Sequence, residues 1–237
     1  CIAVGCMPSK LLIAAADRAH DANNSAEFGV HATARIDGKQ VMERVRAERD
    51  HFASYVEKQV ESWPKDSKIA GRAYINKQGL IEVNDELIKA DKIIVATGSS
   101  TFIPDGWEDK LGDTMLTSDA VFELADLPKS MAVIGAGGIG LELAQAFTRL
   151  GVKVTVFNRA KRVAGLKDED INNKAIDCLS RELTMHLGSK ITDIGQKSDE
   201  NSDKSINKNS TVAFIDYEDS AGEVQQWQGD YVLVATG

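Results

Sequence analysis

The stretch MAVIGAGGIGLEL, residues 131–143, places an apolar run directly before glycines in the pattern G-x-G-x-x-G. Residues 131–134 are typical of a short buried strand, residues 141–150 of a helix, and residues 152–157 of a second strand. A dinucleotide-binding turn requires this context, with a strand before it, a helix after it and a second strand within about thirty residues. The sequence therefore predicts a nucleotide-binding unit here, and a glycine-rich turn without a ligand is the alternative.

Each glycine of this pattern has a separate expected task. Gly135 allows a tight turn, Gly137 lets the backbone approach a pyrophosphate, and Gly140 permits close packing of the helix on the strand. The pyrophosphate would lie at the helix N-terminus, where free N–H groups and the helix dipole favour an anion.

The residues after the second strand bear on which nucleotide binds. An NAD-selective site usually has Asp or Glu here to hold the ribose 2′-OH, but this sequence has Asn158. Arg159, Lys161 and Arg162 follow, and such residues suit a 2′-phosphate. Gly140, in contrast, is common in NAD-binding forms. The sequence leaves NAD and NADP both open, and a solvated basic loop is the third interpretation.

The first ten residues, CIAVGCMPSK, carry two cysteines five positions apart. Pro8 fits the first turn of a helix, and apolar residues at helical spacing follow it. Cys6 is therefore expected at a helix N-terminus, a position that favours the thiolate, and Lys10 adds a positive charge one turn on. We interpret the pair as a redox dithiol. The alternatives are weaker, because zinc needs about four ligands and a structural disulphide across so short a loop constrains little.

This segment resembles the C-x4-C-x-P-S-K motif of the flavin-dependent pyridine nucleotide-disulphide oxidoreductases, since Gly5, Pro8 and Lys10 all match together. The resemblance covers nearly the whole chain, with its motifs in family order. It implies an α/β fold of FAD/NAD(P)-binding Rossmann-like domains, each a three-layer β/β/α arrangement. Residues 1–115 would be a partial FAD-binding domain, and residues 116–237 the NAD(P)-binding domain.

Within the family, the Pro-Ser-Lys triplet and the alanine-rich helix look most like the dihydrolipoamide dehydrogenases. The implied reaction is dihydrolipoamide plus NAD⁺ to lipoamide plus NADH, through a redox-active disulphide and FAD, with NADP as the alternative nucleotide. NADPH-dependent glutathione or mercuric reductase is the runner-up. Another possibility is a flavoprotein that mainly docks in a multienzyme complex. The intact cysteine pair argues against simple transhydrogenation.

The resemblance also implies roles for individual residues. Cys1 and Cys6 would be catalytic, with Cys6 nearer the flavin and Cys1 exchanging with the substrate, and Lys10 would contact Glu142 beside the flavin. FAD contacts are implied for Lys10, Ala73, Thr97, Gly98 and Ser99. NAD(P) contacts are assigned to Gly135, Gly137, Gly140, Glu142, Asn158, Arg159, Ile194 and Gly237.

Composition narrows the class of protein further. The 237 residues include 28 basic and 36 acidic side chains, a net charge of −8, which gives no electrostatic case for nucleic acid. No apolar run reaches the roughly 18 residues of a membrane span, and three cysteines suit a reducing, cytoplasmic setting. No metal site is predicted.

The ends of the sequence suggest a piece of a longer enzyme. The chain starts with Cys and stops at an Ala-Thr-Gly motif that normally continues. The FAD fingerprint would precede Cys1. The family's catalytic His–Glu pair would come from a C-terminal dimerisation domain of a homodimer, because His20, His31, His51 and His186 do not fit that motif. We expect the chain alone to be inactive. Lipoamide, free or protein-bound, and a 2-oxoacid dehydrogenase complex are the implied partners.

Periodicity and turn residues predict the remaining elements. We expect helices at 41–63, 120–125 and 168–187, a hairpin at 69–83, and strands at 87–88, 92–98, 190–194, 211–217, 226–227 and 231–237. Residues 198–210 are polar and without period. The strands at 92–98 and 231–237 end alike, in Val-Ala-Thr-Gly, which suggests two related nucleotide-binding units. Cys178 is expected as a packed thiol.

Overall fold

The computed structural model describes residues 2–198 and 211–237. The chain divides into two compact units. The larger comprises the residues up to Asp50 and those from Thr101 to Gly237, and the smaller comprises His51–Ser100. The polar stretch expected at 198–210 lies, apart from Ser198, outside the described residues, as does Cys1.

The elements follow one another along the chain with helices and strands mixed. The helices are α1 (Cys6–Asn23), α2 (Gly38–Glu61), α3 (Trp107–Leu111), α4 (Gly138–Arg149) and α5 (Glu169–Leu179). The strands are β1 (Tyr74–Ile75), β2 (Ile81–Val83), β3 (Glu86–Ile88), β4 (Met115–Thr117), β5 (Ser130–Ile134), β6 (Lys153–Asn158), β7 (Thr184–Leu187), β8 (Lys190–Ser198), β9 (Thr211–Glu218), β10 (Val224–Gly229) and β11 (Tyr231–Val234). Among the described helices, none is long and apolar enough to cross a bilayer.

The larger unit is built on a parallel sheet of five strands in the order β4-β11-β5-β6-β7. Successive side chains of a strand point to opposite faces, so each apolar strand supplies two cores. On one face Val133 and Val156 pack with Leu12 of α1 and Phe147 of α4. The second face is covered by the antiparallel sheet β10-β9-β8. The predicted three-layer β/β/α arrangement is confirmed.

The smaller unit contains the antiparallel sheet β1-β2-β3. Its first turn is closed by Asn76, whose Oδ1 accepts hydrogen bonds from the backbone N–H groups of Gln78 and Leu80, each at 3.0 Å. The predicted hairpin and its third strand are therefore confirmed, although the two strands of the hairpin are shorter than expected.

Three local predictions are wrong. Residues 92–98 form no strand, and Ile94 is 90% exposed, because within the described residues no strand is paired with this stretch to cover its side chains. The helix expected at 168–187 ends at Leu179, and Thr184–Leu187 becomes the edge strand β7. The helix expected at 120–125 is a single 3-10 turn, Ala120–Glu123.

The amphipathic helix α2 differs from its expected packing. Met42 and Val45 in its first half are fully buried, as an apolar stripe predicts. Val56 and Val60 in its second half are each 39% exposed, and Trp63 just beyond the helix is 51% exposed. The stripe is therefore buried along only part of its length.

Candidate nucleotide and dithiol site

The turn between β5 and α4 has the geometry that its glycines predict. Gly135 has φ 110°, in the left-handed region, and its N–H donates to the carbonyl oxygen of Phe157 at 2.8 Å. A Cβ on Gly135 would collide with the carbonyl oxygen of Ala235, and a Cβ on Gly140 would collide with that of Gly135. The tight turn and the close helix–strand approach therefore both require glycine.

Gly137 differs from these two because its surroundings are open. It is the N-cap of α4 with φ −75° and ψ 176°, and no side chain caps the helix there. No described heavy atom outside its chain neighbours lies within 4 Å of the position that a Cβ would occupy. The first-turn N–H groups of a helix have no intrahelical partner, so this end offers donors and space together. The cradle fits the pyrophosphate of a dinucleotide.

The carboxyl end of β11 adjoins this turn, since Ala235 faces Gly135. Gly237 has φ 125°, and its carbonyl oxygen accepts a hydrogen bond from the N–H of Phe102 at 2.8 Å. Thr236 returns the contact, because its Oγ1 donates to the carbonyl oxygen of Phe102 at 2.8 Å. Sequence reasoning named Gly237 but missed Phe102 and Thr236, whose pairing across 134 positions has no local signal.

Asn158 ends β6, but its side chain is engaged with backbone. Its Nδ2 donates to the carbonyl oxygens of Ala160 at 2.8 Å and Arg162 at 2.9 Å. Its Oδ1 accepts from the N–H of Ala136, inside the glycine turn, at 3.2 Å. Asn158 therefore ties the basic loop to the nucleotide turn. Arg159, which follows it, is exposed.

The dithiol helix begins as expected. Cys6 is the first residue of α1, directly after Gly5 with φ 86°, and it is disulfide-bonded. Ser9 stabilises this first turn, with its Oγ donating to the carbonyl oxygen of Cys6 at 3.1 Å and its N–H donating to that of Gly5 at 3.1 Å. The expected partner, Cys1, lies outside the described residues. Cys178, expected to be packed, is instead exposed and free, because it lies on the outer face of α5.

An ion pair connects the starts of α1 and α4. Lys10 Nζ lies 2.6 Å from Glu142 Oε1, and both residues stand in the first two turns of their helices. The Lys10 side chain is 62% exposed and that of Glu142 is 34% exposed, so the pair is open on one side. The contact that the resemblance implies is present. It holds the N-terminal turns of α1 and α4 close to each other.

A second ion-pair network, which sequence reasoning missed, lies two turns further along the same helices. Arg149 of α4 donates from Nη1 to Asp17 of α1 at 2.7 Å, and from Nε and Nη2 to Glu182 at 2.7 and 2.9 Å. The hydrogen bond with Glu182 is the main cause of the raised pKa of Arg149, and the same bond lowers the pKa of Glu182. The ion pairs Lys10–Glu142 and Asp17–Arg149 connect the same two helices at matching heights, because their residues are seven positions apart on each helix.

The remaining predicted residues belong to the smaller unit or to the core of the larger one. Ala73, Thr97, Gly98 and Ser99 belong to the smaller unit and are exposed, and their roles toward FAD stay predictions. Ile194 of β8 is 2% exposed, because its side chain packs into the core between the two sheets.

An aromatic cluster is formed by Phe157 of β6, His186 of β7 and Tyr217 of β9. The ring of His186 stacks on Phe157 with centroids 5.2 Å apart, and its Nε2 lies 3.4 Å from the hydroxyl of Tyr217. Burial lowers the pKa of His186 and raises that of Tyr217. The His186 side chain is therefore packed against the rings of Phe157 and Tyr217.

The comparisons with known proteins agree with this geometry. The sequence model of the family described as pyridine nucleotide-disulphide oxidoreductase matches residues 1–237. Mercuric reductase from Staphylococcus aureus is 30% identical over 244 residues, covering 100% of this chain and 41% of that protein. Dihydrolipoyl dehydrogenase from Trypanosoma brucei brucei is 30% identical over 251 residues, covering 100% of this chain and 49% of that protein.

Solved structures share the fold. The HOCl-induced flavoprotein disulfide reductase RclA from Escherichia coli matches with a TM-score of 0.71 and 22% identity, covering 100% of this chain and 47% of that one. The chain spans about half the length of these relatives, or somewhat less. Because the family model matches the chain over its whole length, the chain belongs to the pyridine nucleotide-disulphide oxidoreductase family.

Proposed function

We propose that this chain carries the dithiol and nucleotide-binding parts of a disulphide oxidoreductase that oxidises dihydrolipoamide with a pyridine nucleotide. The Lys10–Glu142 ion pair is the observation that carries the proposal. It joins the helix that begins at Cys6 to the helix whose open N-terminus fits a pyrophosphate. A thiol and a nucleotide between which electrons pass must be held close together. The ion pair meets this need, because it connects the N-terminal turns of the two helices.

The proposed reaction balances as a two-electron exchange. The two thiols of dihydrolipoamide close into the lipoamide disulphide, and the Cys1–Cys6 disulphide opens to two thiols, so two electrons and two protons move to the protein. The nucleotide then takes up a hydride and one proton is released, which restores the disulphide. Proteins of this family use FAD and NAD(P), and FAD, when bound, would supply a two-electron carrier for this exchange.

The chain's own residues hold the reacting groups in place. Once the disulphide is reduced, the N-terminus of α1 favours the thiolate form of Cys6, because a helix dipole stabilises a negative charge there. Lys10 adds a cation at the same end, and Glu142 fixes its position. The open backbone at Gly137 receives the pyrophosphate. We assign residues 1–115 to the FAD-binding part and residues 116–237 to the nucleotide-binding part.

A mercuric reductase is the second candidate, and two observations favour it. The Staphylococcus aureus mercuric reductase is 30% identical to this chain over 244 aligned residues, which cover the chain's full length. The exposed basic loop after Asn158 also suits NADPH. In that case the dithiol would bind Hg(II) and the nucleotide would be the electron donor.

The experiment uses the natural full-length protein. Dihydrolipoamide is mixed with NAD⁺ and, separately, with NADP⁺, and reduced nucleotide is followed by absorbance. Turnover with either nucleotide, lost in Cys6→Ser, supports the proposal. NADPH-dependent reduction of Hg(II) without lipoamide turnover replaces it with the second candidate.

Assembly is a separate proposal. The resemblance to dihydrolipoyl dehydrogenases leads us to propose a homodimer that belongs to a 2-oxoacid dehydrogenase complex. The small number of cysteines leads us to propose a cytoplasmic location. Sedimentation of the full-length protein tests the dimer. Capture on a lipoyl-bearing acyltransferase tests the complex, and absence of binding at micromolar concentration would contradict membership.

A further inference from the structure

Two asparagines fix the backbone of the basic loop after β6. The amide of Asn158 gives both of its hydrogens to the carbonyl oxygens of Ala160 and Arg162. The reverse orientation of this amide would set its oxygen against two carbonyls and its NH₂ against the N–H of Ala136, so only one orientation satisfies all three contacts. A carboxylate at this position could not donate at all.

Asn172 of α5 holds the same loop from the other side. It is buried, with 6% of its surface exposed. Its Oδ1 accepts the N–H of Val163 at 3.0 Å, and its Nδ2 donates to the carbonyl oxygen of Lys161 at 3.4 Å. The N–H of Ala164 then bonds to the carbonyl oxygen of Ala136, in the glycine turn, at 2.7 Å. Loop 159–163 is thus fixed at successive peptide groups and tied to the nucleotide turn.

The side chains on this fixed loop are cationic and exposed. Arg159, Lys161 and Arg162 all face solvent, and in the part of the chain that the structure describes none of them forms an ion pair. This is notable in a chain with a net charge of −8. Three uncompensated cations on a rigid loop raise the local potential for an anion.

We propose that Asn158 and Asn172 are positioning residues that hold loop 159–163 as a receptor for the 2′-phosphate of NADP(H). The inference rests on the proposed nucleotide site, and it selects between the two nucleotides that the sequence leaves open. The end of the second strand is where the adenosine ribose of a dinucleotide lies. A carboxylate there accepts a hydrogen bond from the ribose hydroxyl and repels a phosphate. An amide whose hydrogen bonds go to the backbone does neither.

The test separates the phosphate from the redox chemistry by using adenosine fragments. Binding of adenosine 2′,5′-bisphosphate and of 5′-AMP to the full-length protein is measured by calorimetry. We expect the bisphosphate to bind at least about tenfold more tightly, the scale of one charge-assisted hydrogen bond. Its affinity should also rise between pH 5 and 7, because a phosphate gains its second charge near a pKa of about 6, while that of 5′-AMP for the same loop should change less.

Variants show which residues cause the preference for the bisphosphate. Asn158→Asp and Arg159→Gln should each remove most of the preference for the bisphosphate, and Arg181→Gln, which removes an exposed cation outside the loop, should leave it unchanged. If Asn158→Asp does not fold, Asn172→Ser provides the second test of positioning, and the exposed Arg159 gives a variant that should not perturb folding. A preference lost in Arg159→Gln but kept in both asparagine variants would overturn the positioning role.

Failure of the inference and failure of the proposed function give different results. Equal binding of the two fragments overturns the 2′-phosphate receptor and leaves the nucleotide site standing. Binding of neither fragment, together with no binding of NADH or NADPH, overturns both.

Discussion

Arg149 donates two hydrogen bonds to the carboxylate of Glu182, from Nε at 2.7 Å and from Nη2 at 2.9 Å. The two side chains are only 20% and 25% exposed, so both charges are partly desolvated. A third bond from Arg149 to Asp17 brings in the dithiol helix. The network therefore joins α1, α4 and the segment before β7 at one guanidinium.

Removing this guanidinium should destabilise the fold. Arg149→Leu leaves Glu182 partly buried without its main partner, and we expect a loss of about 2 kcal/mol in the free energy of unfolding. Urea unfolding at pH 7 measures it. Arg18→Leu is the matched control, because the Arg18 side chain is 88% exposed and exposed pairs contribute little. Equal effects of the two variants would contradict the account.

Thr148 offers a stabilising substitution. Its Oγ1 is buried and has no hydrogen-bond partner among the described residues. Thr148→Val keeps the shape and removes the unpaired hydroxyl, so we expect a gain of about 1 kcal/mol in stability. Thr148→Ser keeps the hydroxyl and loses the methyl, and should destabilise. Thermal unfolding of both variants decides the matter, and a Val variant less stable than the parent would refute the prediction.

Two glycines of the nucleotide turn should respond differently to alanine. Gly140→Ala pushes a methyl group into the carbonyl oxygen of Gly135, so we expect loss of more than about 3 kcal/mol or failure to fold. Gly137→Ala has open space and an ordinary φ, and should fold normally. Its methyl group would occupy the cradle, however, and should weaken nucleotide binding by about tenfold or more. Circular dichroism and nucleotide titration of both variants test the distinction.

His186 should make stability fall in mild acid. Burial lowers its pKa, so the folded protein prefers the neutral ring. Below the unfolded-state pKa of about 6.5, the unfolded chain takes up a proton that the folded chain resists, and stability falls as pH decreases toward the folded pKa. His186→Phe should reduce the stability difference between pH 7.5 and pH 5, whereas the exposed His31 should not matter when changed to Gln. An unchanged pH dependence in His186→Phe would exclude this origin.

The local motifs were predictable because their causes are local. The glycine turn depends on sterics between neighbours such as Gly135 and Gly140, and the start of α1 at Cys6 depends on adjacent Gly5 and Pro8. The Lys10–Glu142 contact was not deducible from either helix alone. It came from the resemblance, because the partners are 132 positions apart.

Features set by distant partners were not predictable. Residues 92–98 and 231–237 read alike, yet only the second contains a strand, β11, because β4 and β5 flank it. The basic loop was visible in the sequence, but the bonds from Asn172 that shape it were not. Arg149 carried no signal either, since its carboxylate partners lie 33 and 132 positions away.

The central claim is that electrons pass between the nucleotide and the disulphide that contains Cys6. The most direct measurement adds one equivalent of NADPH to the full-length holoenzyme without air and then labels thiols with iodoacetamide for mass spectrometry. The account predicts that nucleotide oxidation is matched by new labelling of Cys1 and Cys6 in the peptide that ends at Lys10, after the protein has been unfolded for labelling. Cys178, free beforehand, should be labelled equally with and without nucleotide. Oxidation of the nucleotide with Cys6 still unlabelled would contradict it.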